Sequence, residues 1–130
     1  MATELSIRID LDSDVPAYRQ IVNAIRILLV TGGLKPGAEL PSVRRMARDL
    51  GVHFNTVAES YRALAEEGWL DLRHGRGARV IQRDAPAPSS EALGEFQERL
   101  RSLLAEVLAK GTDPQKISTE MLRIWSELYS

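Results

Sequence analysis

Two short apolar stripes of helical period, separated by only a glycine-bearing connection, constrain this chain more than any other feature. Val43, Met46, Ala47 and Leu50 mark one face of a short helix. Ser42 opens it, with a hydroxyl able to accept an orphan backbone N–H of the first turn. Gly51 stops it, Val52 to Asn55 form the connection, and Val57, Tyr61 and Leu64 supply the buried face of the next helix, which Gly68 ends. Two helices joined by about four residues including a glycine must cross sharply, as in a helix-turn-helix. Two short strands follow, Trp69–Arg73 and Ala78–Ile81, with His74, Gly75, Arg76 and Gly77 at the tip between them. A hairpin in that position makes the motif a winged helix.

The flanking segments complete the expected architecture. Ile7, Ile9 and Leu11 alternate with Arg8 and Asp10, the period of a half-buried strand. Pro16 is suited to a first helical turn, and Ile21, Val22, Ile25, Leu28 and Leu29 stripe a helix that Gly32-Gly33 terminates. Lys35-Pro36-Gly37 makes a turn. After the wing, the run from Ala85 to Ser90 has linker composition. Beyond it, Leu93, Phe96, Leu100, Leu103, Leu104, Val107 and Leu108 stripe one helix. A Gly111-Thr112-Asp113-Pro114 break follows, and Ile117, Met121, Ile124, Trp125 and Leu128 stripe a last helix. The expectation is a mostly α fold with a small β-hairpin wing. It comprises a winged helix-turn-helix over residues 1–83, a linker over 84–90 and two C-terminal helices over 91–130.

Charge is unevenly distributed. The net charge is -1, but residues 1–14 carry -3, residues 15–83 carry +5 and residues 84–130 carry -3. A basic middle between acidic ends suits an anionic partner for the middle, although +5 alone also fits an ordinary mixed surface. No cysteine is present, which excludes disulfides, thiolate nucleophiles and cysteine-ligated zinc, and fits a reducing compartment. His53 and His74 stand 21 positions apart and cannot form a helical metal pair. No nucleophile–base or carboxylate pair is indicated, so neither catalysis, a metal nor a cofactor is expected. No apolar run of membrane-spanning length and no secretory signal are seen.

The residues of the middle segment resemble a known family. Gly37 to Val52, then Asn55-Thr56-Val57, Tyr61 to Leu64, Glu67-Gly68-Trp69 and Gly75-Arg76-Gly77 look like the GntR family of bacterial transcription regulators. About 45 residues follow the wing. Most GntR proteins carry a large ligand-binding domain there; two helices are similar to the YtrA subfamily, in which they serve chiefly for dimerisation. The resemblance implies a cytoplasmic, homodimeric repressor that binds double-stranded operator DNA.

Ser42 stands at a helix start, where free N–H groups suit a phosphate, and capping the helix is an equal role. Arg44 matches an arginine that reaches DNA in the family's motif, and a guanidinium fork fits guanine or phosphate. Arg45 is either a backbone-phosphate contact or a solvated surface charge. His53, Phe54, Asn55 and Thr56 open the second helix of the motif, the part that meets base edges. Asn55 can pair bidentately with adenine or simply cap the helix, and Thr56 can meet phosphate or a thymine methyl. Many family members have arginine where Phe54 and Ala58 stand here, which moves weight onto Arg44. Phe54 is open between pressing on thymine methyls and folding back onto the domain. Arg62, a turn further on, is placed to reach a phosphate. In the wing, His74 is a phosphate donor, Gly75 lets the backbone approach the duplex, and Arg76 fits a narrow minor groove.

Two helices alone cannot cover both their apolar faces. Phe96, Leu100, Leu103, Leu104, Met121, Ile124, Trp125 and Leu128 are therefore expected at a homodimer interface, with folding back onto the first helix as the alternative. Two-fold symmetry would present two recognition helices to a palindromic site. A small-molecule effector has no obvious pocket except at that interface. The competing function is a winged helix that binds protein without specific DNA binding.

Overall fold

The computed structural model describes residues 5–73 and 77–129. The chain divides into two compact units, residues 1–84 and 85–130.

In the first unit, α1 (Ala17–Thr31) turns Ile21, Val22, Ile25 and Leu29 inward, while Leu28 stays half-buried. Pro16 stands one position before the expected place, as the residue flanking the helix. Its carbonyl accepts the N–H groups of Arg19 and Gln20 at 3.0 and 3.1 Å. Gly32 ends α1 with φ 83°, a left-handed conformation that glycine takes without a Cβ clash. The short α2 (Val43–Leu50) buries Met46 and Ala47 and stops at Gly51, φ 71°. The central element is α3 (Phe54–Glu66), which packs against both α1 and α2 and against the wing. It buries Val57, Ser60, Tyr61 and Leu64.

The Ser60 hydroxyl lies 2.8 Å from the Thr56 carbonyl and 3.1 Å from the Tyr18 carbonyl, tying α3 to α1. Tyr61 donates to the Pro41 carbonyl at 2.7 Å, tying α3 to the entry of α2. At the far end of α3, Arg26 of α1 pairs with Glu67, which also accepts from the Trp69 indole at 3.2 Å. The guanidinium of Arg83 lies over the Trp69 ring and donates to the Glu67 carbonyl at 2.7 Å. The Arg26 hydrogen bond holds the Glu67 carboxyl below its ordinary range, against the opposing effect of partial burial.

The wing strands are shorter than expected: β1 (Leu70–Asp71) and β2 (Arg79–Val80) pair antiparallel, Leu70 opposite Val80. A third segment, not anticipated, lies on the other edge of β2. Gly37 N–H donates to Val80 O, Val80 N–H to Ala38 O, and Leu40 N–H to Ala78 O, each at 2.8 Å. The stretch leading into α2 is thus hydrogen-bonded to the wing.

The strand expected over Ile7–Leu11 is not formed. Leu5, Ile7 and Ile9 do alternate inward and pack on the core, but among the described residues no neighbouring strand offers them a ladder. Gln20 takes that place locally: its amide accepts from Asp10 N–H at 2.7 Å and donates to Asp10 O at 2.8 Å.

In the second unit, α4 (Ser90–Ala109) begins at the last residue of the expected linker, capped by Ser89, whose hydroxyl accepts from Ala92 N–H at 3.1 Å. A break at Gly111 leads to α5 (Pro114–Tyr129), where Asp113 accepts from Gln115 N–H at 3.1 Å. No described residue of α4 or α5 is buried. No helix of the described residues is long and apolar enough to cross a membrane.

Candidate nucleic-acid interface

The starts of α2 and α3 come together at one place. Ser42 caps α2, its hydroxyl accepting from Arg45 N–H at 3.1 Å. The cap of α3 is His53, whose Nδ1 accepts from Asn55 N–H at 3.1 Å. The capping role weighed for Asn55 therefore belongs to His53. The Asn55 side chain stays on an exposed position one residue inside the helix. An accepting Nδ1 leaves the proton of the neutral imidazole on Nε2 as a donor.

Phe54 does not fold into the core. Its side chain is 41% exposed, and its ring stacks with that of His53, centroids 4.6 Å apart. The guanidinium carbon of Arg44 lies 5.2 Å from the Phe54 centroid, so a cation–π contact joins the first turn of α2 to the first turn of α3. Along α3, His53, Phe54, Asn55, Glu59 and Arg62 are exposed, Thr56 is half-buried, and the opposite side is core. Glu59 was missed from the sequence. Its spacing four after Asn55 and three before Arg62 puts it on their face, and a carboxylate there can accept from cytosine N4 while repelling phosphate.

The arginines fall into two groups. Arg45 lies 3.8 Å from Asp49, Arg73 pairs with Asp71 at 3.0 Å, and Arg79 pairs with Glu39 at 3.0 Å. The Arg79 hydrogen bond holds the Glu39 carboxyl below the usual carboxylate range. Among the described residues, Arg44, Arg48 and Arg62 have no carboxylate partner. His74, Gly75 and Arg76 lie outside the described residues. Gly77, the last residue of the expected tip, faces its own chain. A Cβ there would come 3.2 Å from Leu40 O and 3.4 Å from Pro41 O.

Residues 17–80 match the model of the bacterial regulatory proteins of the gntR family. Across 85% of its length, and 85% of the other, the chain is 31% identical to the transcriptional repressor YtrA of Bacillus subtilis. The chain belongs to the GntR family. A solved structure of YtrA from Sulfolobus acidocaldarius superposes with a TM-score of 0.56 at 34% identity, covering 95% of this chain and all of that one. The rhizopine catabolism regulatory protein MocR of Rhizobium meliloti is 46% identical over 72 residues, 55% of this chain but only 15% of that longer protein. This GntR protein is a transcription regulator, not an enzyme. Among the described residues, no group of three His, Cys, Asp or Glu side chains is placed to hold a metal ion.

In the second unit, Phe96, Leu103, Met121, Ile124, Trp125 and Leu128 are exposed, and Leu100 and Leu104 are half-buried. Leu93, Leu108, Leu122 and Tyr129 are also exposed and widen the apolar surface. Trp125 and Tyr129 stack with centroids 5.0 Å apart. Leu104, Leu108, Pro114, Ile117, Met121 and Leu122 line an apolar recess beside the Gly111 break.

Proposed function

We propose that this GntR regulator is a cytoplasmic repressor that binds a palindromic operator as a homodimer, entering the major groove with the start of α3. The observation that carries this reading is the half-and-half character of α3. Its rear is fully packed, while its first turn protrudes with Phe54 and Asn55 exposed and Arg44 alongside. A helix can meet base edges only if it projects from its domain in this way. Arg44 and Asn55 supply base-reading donors and acceptors. Ser42, Thr56 and the Nε2–H of His53 supply phosphate contacts, and Arg45 and Arg62 add positive charge beside them. His74, Gly75 and Arg76 are proposed as the wing's contact with the minor groove.

Dimerisation is assigned to Phe96, Leu100, Leu103, Leu104, Met121, Ile124, Trp125 and Leu128. Large apolar side chains left exposed in such number mark an association surface. An effector, if the protein uses one, is assigned to that interface.

The test is fluorescence anisotropy with duplex DNA from the region upstream of the protein's own gene. Specific binding should weaken steeply with added salt, because neutralised phosphates release counterions. Binding that ignores both sequence and salt, together with capture of a protein partner, would favour the protein-interaction alternative.

A further inference from the structure

Among the described residues, six arginines are held by carboxylates and two lie over aromatic rings, Arg44 on Phe54 and Arg83 on Trp69, and of these two Arg83 also gives a donor to the Glu67 carbonyl. A carboxylate occupies the guanidinium N–H groups, as Asp71 does for Arg73 and Glu39 for Arg79. An aromatic face attracts the cation through its quadrupole and takes none of those donors. Arg44 is held in the second way, by Phe54, among the described residues. It is therefore restrained and still fully able to donate. Phe54 is itself restrained by stacking on His53, whose Nδ1 is fixed by the Asn55 N–H. Much of the Phe54 ring remains open to an incoming surface.

We propose that Phe54 is a positioning and specificity residue. It holds Arg44 for bidentate donation to a guanine and lays its exposed ring on the 5-methyl group of a thymine in the neighbouring base pair. The inference rests on the proposed DNA-binding reading and adds to it the base step that is read. The major-groove edge of guanine offers the two acceptors that a guanidinium fork fits, and the thymine methyl is the one apolar group there. A pre-held arginine loses less side-chain freedom on binding than a free one, which raises discrimination at that position.

Selection by the full-length protein from a pool of randomised duplexes tests the step, followed by replacement of the selected thymine with deoxyuridine, which removes only the methyl. The wild type should enrich a guanine beside a thymine. Deoxyuridine should weaken its binding about fourfold, the effect of one buried methyl. Phe54→Ala should lose the thymine methyl effect and roughly tenfold of the guanine preference. Phe54→Leu, which keeps an apolar contact but no ring face, should retain sensitivity to deoxyuridine and lose the guanine preference. Phe54→Tyr should keep both. The side chain is exposed, and unchanged thermal melting of the variants would separate these effects from misfolding. A wild type that enriches no sequence overturns the DNA-binding reading and this inference with it. A wild type that enriches a site which Phe54→Ala selects unchanged, or that binds the deoxyuridine duplex equally well, overturns this inference alone.

Discussion

An arginine can address a base only with donors it has not already given away. By that measure Arg44 stands apart from Arg79, whose guanidinium is bound to Glu39 at 3.0 Å. Arg44→Ala should weaken specific operator binding by about 1–3 kcal/mol, while Arg79→Ala should leave sequence preference unchanged; anisotropy with matched and scrambled duplexes checks both. Part of this was legible in the sequence. Ser42 as a cap and Val57, Tyr61 and Leu64 as core follow from side-chain chemistry and helical spacing. The cap of α3 did not follow, because His53 and Asn55 are adjacent and both carry an acceptor, so only the backbone path decides between them. The place of Phe54 was equally hidden, since its neighbours His53 and Arg44 meet it through the tertiary packing of two helices. Tyr61 carries a prediction of its own. Burial raises its phenol pKa, so the fold favours the neutral form. An unfolded tyrosine ionises near 10, so the stability this burial contributes is complete below about pH 10 and declines above it. Urea midpoints should fall above that pH in the wild type and fall less in Tyr61→Phe. That variant should also lose about 1–3 kcal/mol at neutral pH, because the buried Pro41 carbonyl loses its donor.

Between elements, the decisive feature is how the entry to α2 is held. Residues 37–40 hydrogen-bond to β2, Tyr61 binds the Pro41 carbonyl, and Gly77 packs on the backbone of Leu40 and Pro41. The wing and the start of α2 are therefore mechanically one piece, which fixes where Arg44 begins. Gly77→Ala would force a Cβ to 3.2 Å from Leu40 O, where backbone on both sides resists movement. It should cost about 1–3 kcal/mol of stability by chemical denaturation, the range of overpacked sites. Unchanged stability would mean that the two backbones part readily. Nothing in the sequence marked the 37–40 pairing, because three residues between Pro36-Gly37 and Pro41 are too few to show a period of two. The opposite error occurred at Ile7–Leu11. There Ile7 and Ile9 do pack on the core while Leu11 is 64% exposed, and a strand also needs a partner, where among the described residues the Gln20 side chain bonds the Asp10 backbone instead. Helix lengths fared better, since Gly32 and Gly51, both at positive φ, are terminators that act locally.

At the scale of the whole molecule, the question is what covers the second unit. Its apolar stripes were readable from spacing, but their exposure was not, because a stripe looks the same whether its partner is the same chain or another. Leu103 is 60% exposed and Trp125 59%, and α4 and α5 contain no buried residue among those described. Apolar surface of this extent gains about 25 cal/mol for each Å² removed from water, a drive that is unspent in a lone chain. The net charge of -3 over residues 84–130 opposes association only weakly, since exposed charges are screened over about 8 Å at physiological salt. We expect the protein to sediment as a dimer. Leu103→Glu combined with Trp125→Glu should shift it to the mass of one chain, because each substitution would place a carboxylate in the dehydrated contact. The same variant should still unfold cooperatively through its winged unit, whose core is built from α1, α2, α3 and the wing. Its affinity for an operator with two half-sites should drop far more than its affinity for a single half-site, since joined modules gain effective concentration only on a target that both can reach. A variant that remains dimeric, or one that becomes monomeric yet binds both targets as before, would separate α4 and α5 from operator recognition.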